Sequence, residues 1–225
     1  MRDRITIMSH LVKVQVRNAE RILDLGCGDG NVTIRIAEAC CAKEVFGVDV
    51  DDQALQQAQR KGMTVVKADL NVDKLPFQAN YFDLVIMAEV IEHLLDPDHA
   101  LQQVQRVLKP GGYLLLTTPN LGWYVNRLVL LFGYQPYWTG CGRYNVGKFM
   151  RSIREPAGHL RLYTMRALKQ MLILHNFMIV TIKGSTTDLL REPLRTVDDI
   201  IARIRSSMAQ ILIVLARKVS TYMQL

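Results

Sequence analysis

Glu89, Glu92 and His93 form an ExxEH cluster within MAEVIEHL. Residues three and four apart share one face of a helical turn, so this spacing can bring two carboxylates and an imidazole together. Such a set suits a divalent cation, with His159 as a fourth ligand. The same residues could move a proton: an imidazole is the side-chain type suited to general-base work near neutral pH, which makes His93 the candidate general base. A second constellation is the run Asp24-Leu25-Gly26-Cys27-Gly28-Asp29-Gly30, which follows an apolar stretch and precedes helical periodicity. Its glycines permit a tight turn and close approach of a ligand to the backbone, and the helix start beyond offers free N–H donors. Asp49 closes the next apolar run, where a carboxylate can accept both hydroxyls of a ribose. Asp69 and Leu70 follow the third run, placed so that the carboxylate accepts from an adenine amino group and the Leu70 N–H reaches a ring nitrogen. Asp49 or Asp69 alone reads as a surface loop acid; with the glycine loop they make three features at three successive strand ends, which describe an edge that takes a nucleoside.

The elements that must position these residues follow from periodicity. Short β-rich runs at 21–25, 45–49, 64–67, 82–87, 113–117, 178–183 and 210–216 alternate with helical patterns at 31–41, 52–61, 97–108 and 164–175, the last opened by Thr164 as N-cap. This alternation predicts a mostly parallel sheet of seven strands covered on both faces. Apolar Ile5, Met8, Val12 and Val16 recur at helical spacing, which predicts a further helix over 1–16 that either closes over a ligand or covers the sheet. Residues 119–158 break the alternation with glycines, prolines, aromatics and bases, and are expected to form a substrate lid at the strand ends, where open α/β sheets bind their ligands. Arg143, Lys148, Arg151 and Arg154 fall in that segment and read as solvated bases rather than an anion clamp. Residues 191–207 fit either a helix beside the last strand or a partner contact.

The chain has 225 residues, enough for one α/β domain with its own core, and 1–225 is expected to be a single domain. No uncharged apolar run approaches the roughly 18 to 20 residues of a spanning helix, and Met1-Arg2-Asp3-Arg4 does not open a signal peptide, so a cytoplasmic location is expected. Cys27, Cys40, Cys41 and Cys141 have neither disulfide-framework nor CxxC spacing and are expected to be reduced. Charge is unevenly placed: residues 1–140 hold 14 Lys and Arg against 16 Asp and Glu, a net of −2, and residues 141–225 hold 14 against 5, a net of +9. A basic half suggests an anionic partner, but with no RNA-binding motif beside it the favoured reading is a solvated basic surface.

The motifs DLGCGDG, GVDVDD, ADLNVDKLPFQANYFDLVIMAEVIEHL and RVLKPGGYLLLTTPN resemble, in order, those of class I S-adenosylmethionine (SAM)-dependent methyltransferases over residues 20–120. GHLRLYTMRALKQMLILHNF resembles the closing helix and sixth strand of the same family. The resemblance implies a Rossmann-like three-layer α/β sandwich whose seven-stranded, mostly parallel sheet has an antiparallel last strand. It also implies SAM lying across Gly26, Cys27, Gly28, Asp49, Val50, Asp69 and Leu70. Asp24 would hold the first loop and the SAM amino group, and Glu89 would stand beside the methyl donor with a catalytic as well as a binding role. The ExxEH cluster with a later His is similar to that of metal-dependent O-methyltransferases of quinone biosynthesis and of small-RNA 3′ ends, which hold Mg²⁺ near the acceptor hydroxyl. By that similarity Glu89, Glu92, His93 and His159 would bind Mg²⁺, lowering the hydroxyl pKa. TPNLGW and the residues after it resemble, more loosely, methyltransferase-like proteins of methionine biosynthesis, which tend to lack the LKPGG turn and EVIEH cluster kept here. The expected function is O-methylation of a small-molecule or lipid-linked acceptor; the alternative is a non-catalytic SAM-binding accessory or regulatory protein. Nucleic-acid base methylation is disfavoured, since MAEV stands where N-methyltransferases carry an Asn/Asp-Pro-Pro-Tyr segment. Trp123, Tyr124, Arg127 and Trp138 suggest a peripheral membrane contact.

Overall fold

The computed structural model describes residues 4–140, 146–149, 158–187, 189–190 and 192–219. Arg143, Arg151, Arg154 and Cys141 lie outside them. In chain order the elements are α1 (Arg4–Gln15), β1 (Arg21–Leu25), α2 (Asn31–Cys40), β2 (Glu44–Asp49), α3 (Asp52–Arg60), β3 (Thr64–Lys67), β4 (Phe82–Ala88), α4 (Pro97–Val107), β5 (Leu108–Pro119), α5 (Tyr124–Leu131), α6 (Met165–Leu174), β6 (Phe177–Ser185), α7 (Leu194–Ile204) and β7 (Ile211–Lys218). The strands form one sheet in the order β3-β2-β1-β4-β5-β7-β6. The first five pair in parallel, and β7 runs antiparallel to both β5 and β6.

Alternation along the strands explains the three layers, because successive side chains leave opposite faces of a sheet. On β4, Val85 and Met87 join the core under α4 and α6, with Leu101, Val104, Leu168 and Leu172. Leu84 and Ile86 join the other core, under α1 and α2, with Met8, Val12 and Ile36. Helix starts are fixed where the sequence supplies acceptors. Asp51 Oδ1 accepts from Gln53 N at 2.8 Å, Asp96 Oδ1 accepts from His99 N at 2.9 Å with Pro97 following, and Thr164 Oγ1 accepts from Ala167 N at 3.3 Å.

Two expectations shift. The fifth strand begins at Leu108, before 113, because Leu108 already pairs with Phe82 and the chain turns back into register through Gly111 and Gly112. Gly111 has φ +77°, and a Cβ on Gly112 would stand 3.0 Å from the Lys109 carbonyl, so the LKPGG turn is built on residues without side chains. The segment 191–207, open in the sequence, contains α7. No helix among the described residues is long and apolar enough to cross a membrane.

Candidate active site

The β1–α2 loop is stitched to the end of β2. Gly26 N and Cys27 N both donate to the Val48 carbonyl, at 2.8 and 3.1 Å, and Gly28 N donates to Asp49 Oδ2 at 2.8 Å. Gly26 has φ +72°, and a Cβ there would lie 2.4 Å from Val90 Cγ2, so this loop and the loop after β4 touch at van der Waals distance. A Cβ on Gly28 would meet nothing within 4 Å, so that turn opens onto free space. Val50, just past Asp49, is exposed. Asp49 Oδ1 accepts from Val50 N at 2.7 Å and Asp51 N at 3.1 Å, which fixes its carboxylate at the lip between the two loops.

Asp24 is buried at the root of the loop. Its Oδ2 accepts from Thr33 Oγ1 at 2.6 Å, and its Oδ1 has no partner. Burial raises this carboxyl to about 7, against the pull of the Thr33 hydrogen bond. Cys27 is pushed up to about 12 by burial and by the charges of Asp24 and Asp49, so it is a neutral thiol wall of the site and no nucleophile. Asp69 ends the third run in a tight polar turn: its Oδ1 accepts from Asn71 N and Nδ2 at 2.9 and 2.8 Å. Asn71 Oδ1 in turn accepts from Leu95 N at 2.6 Å, joining the loops after β3 and β4, and Leu70 is buried between them.

The ExxEH cluster divides. Glu89 follows β4 in a left-handed conformation, φ +59°, outside the short 3₁₀ turn Ile91–His93. Its Oε1 accepts from Thr117 Oγ1 at 2.7 Å and pairs with the Arg4 guanidinium at 3.1 Å. The shared helical face expected for Glu89 therefore does not form, because the chain is not helical at that residue. Glu92, His93 and His159 do meet, each offering a ligand atom within 4.8 Å of the others. Glu92 is fully buried; its Oε2 accepts from Thr118 Oγ1 at 3.0 Å and its Oε1 has no partner. Burial, with the nearby charge of Glu89 adding to it, raises its carboxyl to about 8. His93 Nδ1 lies 3.2 Å from the Gly158 carbonyl and His159 Nδ1 lies 3.2 Å from that of Trp138, with ring centroids 4.8 Å apart. The Mg²⁺ expectation loses support here. Two imidazoles and one carboxylate are a nitrogen-rich donor set, whereas Mg²⁺ is held by carboxylates, phosphates and water.

Thr33, Thr117, Thr118 and Arg4 belong to this site and were not singled out from the sequence. None of them carried a local signal: the reach of Arg4 to Glu89 and the orientation of each threonine depend on helix packing and strand register that no local pattern records. Trp123 is fully buried, its indole Nε1 donating to Asp198 Oδ1 at 2.8 Å, so it is a tie between α5 and α7 and no surface anchor. A separate cavity of about 610 Å³ opens between α1, the end of β6 and α7, lined by His10, Lys183 and Arg203 among others, away from the glycine loop.

Residues 2–182 match the model of a methyltransferase domain family. The chain belongs to that family. It is 38% identical over 127 residues to an uncharacterized methyltransferase of Schizosaccharomyces pombe, covering 52% of this chain and 45% of the yeast protein. It is 36% identical over 108 residues to a ubiquinone/menaquinone biosynthesis C-methyltransferase of Edwardsiella ictaluri, covering 45% of this chain and 43% of that protein. The match thus spans somewhat less than half the length of either relative. Among solved structures, an S-adenosylmethionine-dependent methyltransferase from Mesorhizobium loti superposes with a TM-score of 0.61 at 20% identity, over 95% of this chain and 97% of that one. This methyltransferase domain therefore carries the glycine loop and the strand-end acids on the family's fold, with the antiparallel β7 that the resemblance implied.

Proposed function

We propose that this chain transfers a methyl group from SAM to a hydroxyl of a small-molecule or lipid-linked acceptor. The observation that carries the cofactor half is the buried, unpartnered Oδ1 of Asp24. A buried acceptor without a donor is costly, and an amino cation seated there would satisfy it and return Asp24 to its charged form. The remaining residues fit the same molecule. Asp49 spends three contacts on backbone N–H groups, and a carboxylate has about four lone-pair sites, which leaves room for a ribose hydroxyl. Gly28 leaves the approach to the backbone open, and exposed Val50 supplies an apolar surface against which a purine can lie. When bound, SAM supplies a methyl group on a sulfonium, which needs no further activation.

The acceptor hydroxyl must lose its proton as it attacks. His159 is held below the ordinary histidine range by burial and by the neighbouring His93, so it is neutral near pH 7 and able to accept a proton. With Nδ1–H directed at the Trp138 carbonyl, its Nε2 is the basic atom, and His93 is oriented the same way by Gly158. Glu92, neutral below about pH 8, can donate to an acceptor oxygen. Glu89, kept in place by Thr117 and Arg4, is the acid at the end of β4 that would face the donor's positive charge. A second reading, favoured by the mutual approach of Glu92, His93 and His159, is that they hold a transition-metal ion in place of a proton-transfer network.

The Edwardsiella relative is named as a C-methyltransferase. Ring-carbon methylation of a phenol begins with loss of the same proton, so products decide between oxygen and carbon. The test is incubation with methyl-labelled SAM and catechol or hydroquinone acceptors, with and without a prenyl tail. Label that hydriodic acid releases as methyl iodide marks an ether, and this is the expected outcome, at a rate that EDTA leaves unchanged. Acid-stable label would assign carbon methylation. Loss of turnover on chelation would favour the metal reading, and SAM binding without transfer to any acceptor would assign the accessory role.

A further inference from the structure

The cavity of about 610 Å³ beside α1 is walled by elements that their own packing holds apart. On α1, Ile7, His10 and Leu11 line it, while Met8 and Val12 are fully buried in the core beneath and fix the helix in place. On α7, Asp199, Ala202 and Arg203 line it, three and four residues apart as one helical face requires. Gly184 of β6 lies between the two helices. A Cβ there would stand 2.7 Å from the Ala202 carbonyl, so α7 rests directly on the strand. The Trp123–Asp198 hydrogen bond anchors α7 as well. Close packing leaves few large gaps in a folded chain, and a space of this size between anchored elements falls within the range of small-molecule sites, about 300–1,000 Å³.

The titratable lining consists of Lys183, Arg203, Asp199 and His10. Lys183 and Arg203 are exposed, and neither has a hydrogen bond or ion pair with any described residue. Asp199 is engaged, its Oδ1 accepting from Thr186 Oγ1. Neighbouring acids do not line the space: Asp198 holds the Trp123 indole, and Glu192 Oε2 accepts from Thr196 Oγ1 at 2.7 Å. Two cations on two walls, one from β6 and one from α7, therefore stand against one carboxylate that already has a donor. Ile7 and Leu11 of α1, with Ala202 of α7, supply apolar surface between them. Such a lining matches a molecule with an anionic group at one end and an apolar body at the other.

We propose that this cavity binds a small molecule that joins a carboxylate or a phosphate to an apolar body. Lys183 meets the anion as a point charge and Arg203 through its planar fork of N–H donors, while Ile7 and Leu11 cover the apolar part. None of these residues belongs to the loops that carry Asp24, Asp49 or Glu89, so the site stands or falls apart from the SAM reading.

The experiment is calorimetric titration of the protein, without SAM, with octyl phosphate and with octanoate below their micellar concentrations, and with octylammonium as the opposite charge on the same body. The wild type is expected to bind at least one of the two anions saturably at one site, the tighter of them naming the headgroup, and to show no saturable binding of octylammonium. The double variant K183E/R203E, at exposed positions and with an unchanged melting temperature, is expected to bind the anion at least about tenfold more weakly. T6W, which fills the cavity from an exposed lining position without changing its charge, is expected to weaken binding as well. Absence of saturable binding of both anions by folded wild-type protein would overturn the proposal. So would octylammonium binding as tightly as the anions, or unchanged affinity in both variants, since that places the probe elsewhere on the molecule.

Discussion

At the scale of single residues, two buried carboxyls set how the protein responds to pH. Asp24 titrates at about 7 in the folded chain against an ordinary 3.8, chiefly because it is buried. Between those values the folded chain keeps a proton that the unfolded chain has lost. Stability from this group is therefore highest below about pH 4, falls as pH rises to about 7, and carries the full cost of a buried anion above that. Glu92, raised to about 8, acts in the same direction over a range that extends higher. The melting temperature of the ligand-free protein is expected to fall across this interval, and to fall less steeply in Asp24→Asn. Parallel curves for the two proteins would show that Asp24 is solvated. The glycine loop, Asp49 and Asp69 were legible in the sequence because each follows a β-rich run, whereas Asp24, inside β1, took its role from the family resemblance alone. The fate of Glu89 was not legible, since ExxEH spacing presumes a helix and φ +59° is a property of the finished loop.

At the scale of elements, a buried polar contact ties the start of α5 to α7. Trp123 is fully buried and donates to Asp198, whose carboxyl is raised by burial and held partly down by that hydrogen bond. Trp123→Phe keeps most of the ring volume and leaves a buried acceptor short of its donor, a loss expected to cost about 1–3 kcal/mol. Denaturant unfolding measures it; an unchanged midpoint would mean that water replaces the indole. The α2, α3, α4 and α6 helices and all seven strands were recognisable from periodicity, and Thr164 from its capping position, because those signals are local. The long β5 and the division of 119–158 were harder. Leu108 joins the sheet by pairing with Phe82, a partner distant in sequence, and α5 buries only part of its surface, so its apolar pattern does not separate core from exposed face.

At the scale of the whole molecule, the β1, β2 and β4 loops converge at one edge of the sheet, and α1 reaches that edge through the Arg4–Glu89 pair. A ligand that joins these loops should stabilise the fold as a unit. With SAM at about a hundredfold over its Kd, linkage adds about 2.7 kcal/mol. For a chain of 225 residues this corresponds to a rise in melting temperature of roughly 5 to 10 °C. A shift of that size with SAM and none with ATP would show that the edge is specific for the cofactor. An equal shift with both would reduce it to a general nucleotide crevice. The single sheet and the loop edge that carries the proposed site were readable because the glycine loop and the strand-end acids repeat one relation, an acid or a turn after a strand. Pairing of Glu92 with His93 and His159 needed the chain to return from Gly158, and only the fold supplies that.

The most direct test of the central claim is calorimetric titration of SAM into the wild type and Asp49→Ala. Saturable binding by the wild type, weakened roughly ten- to hundredfold by loss of a charged acceptor worth about 1.5–3 kcal/mol, is the predicted result. Absence of any binding heat with folded wild-type protein, or equal affinity in the variant, would contradict the assignment of this edge as the SAM site.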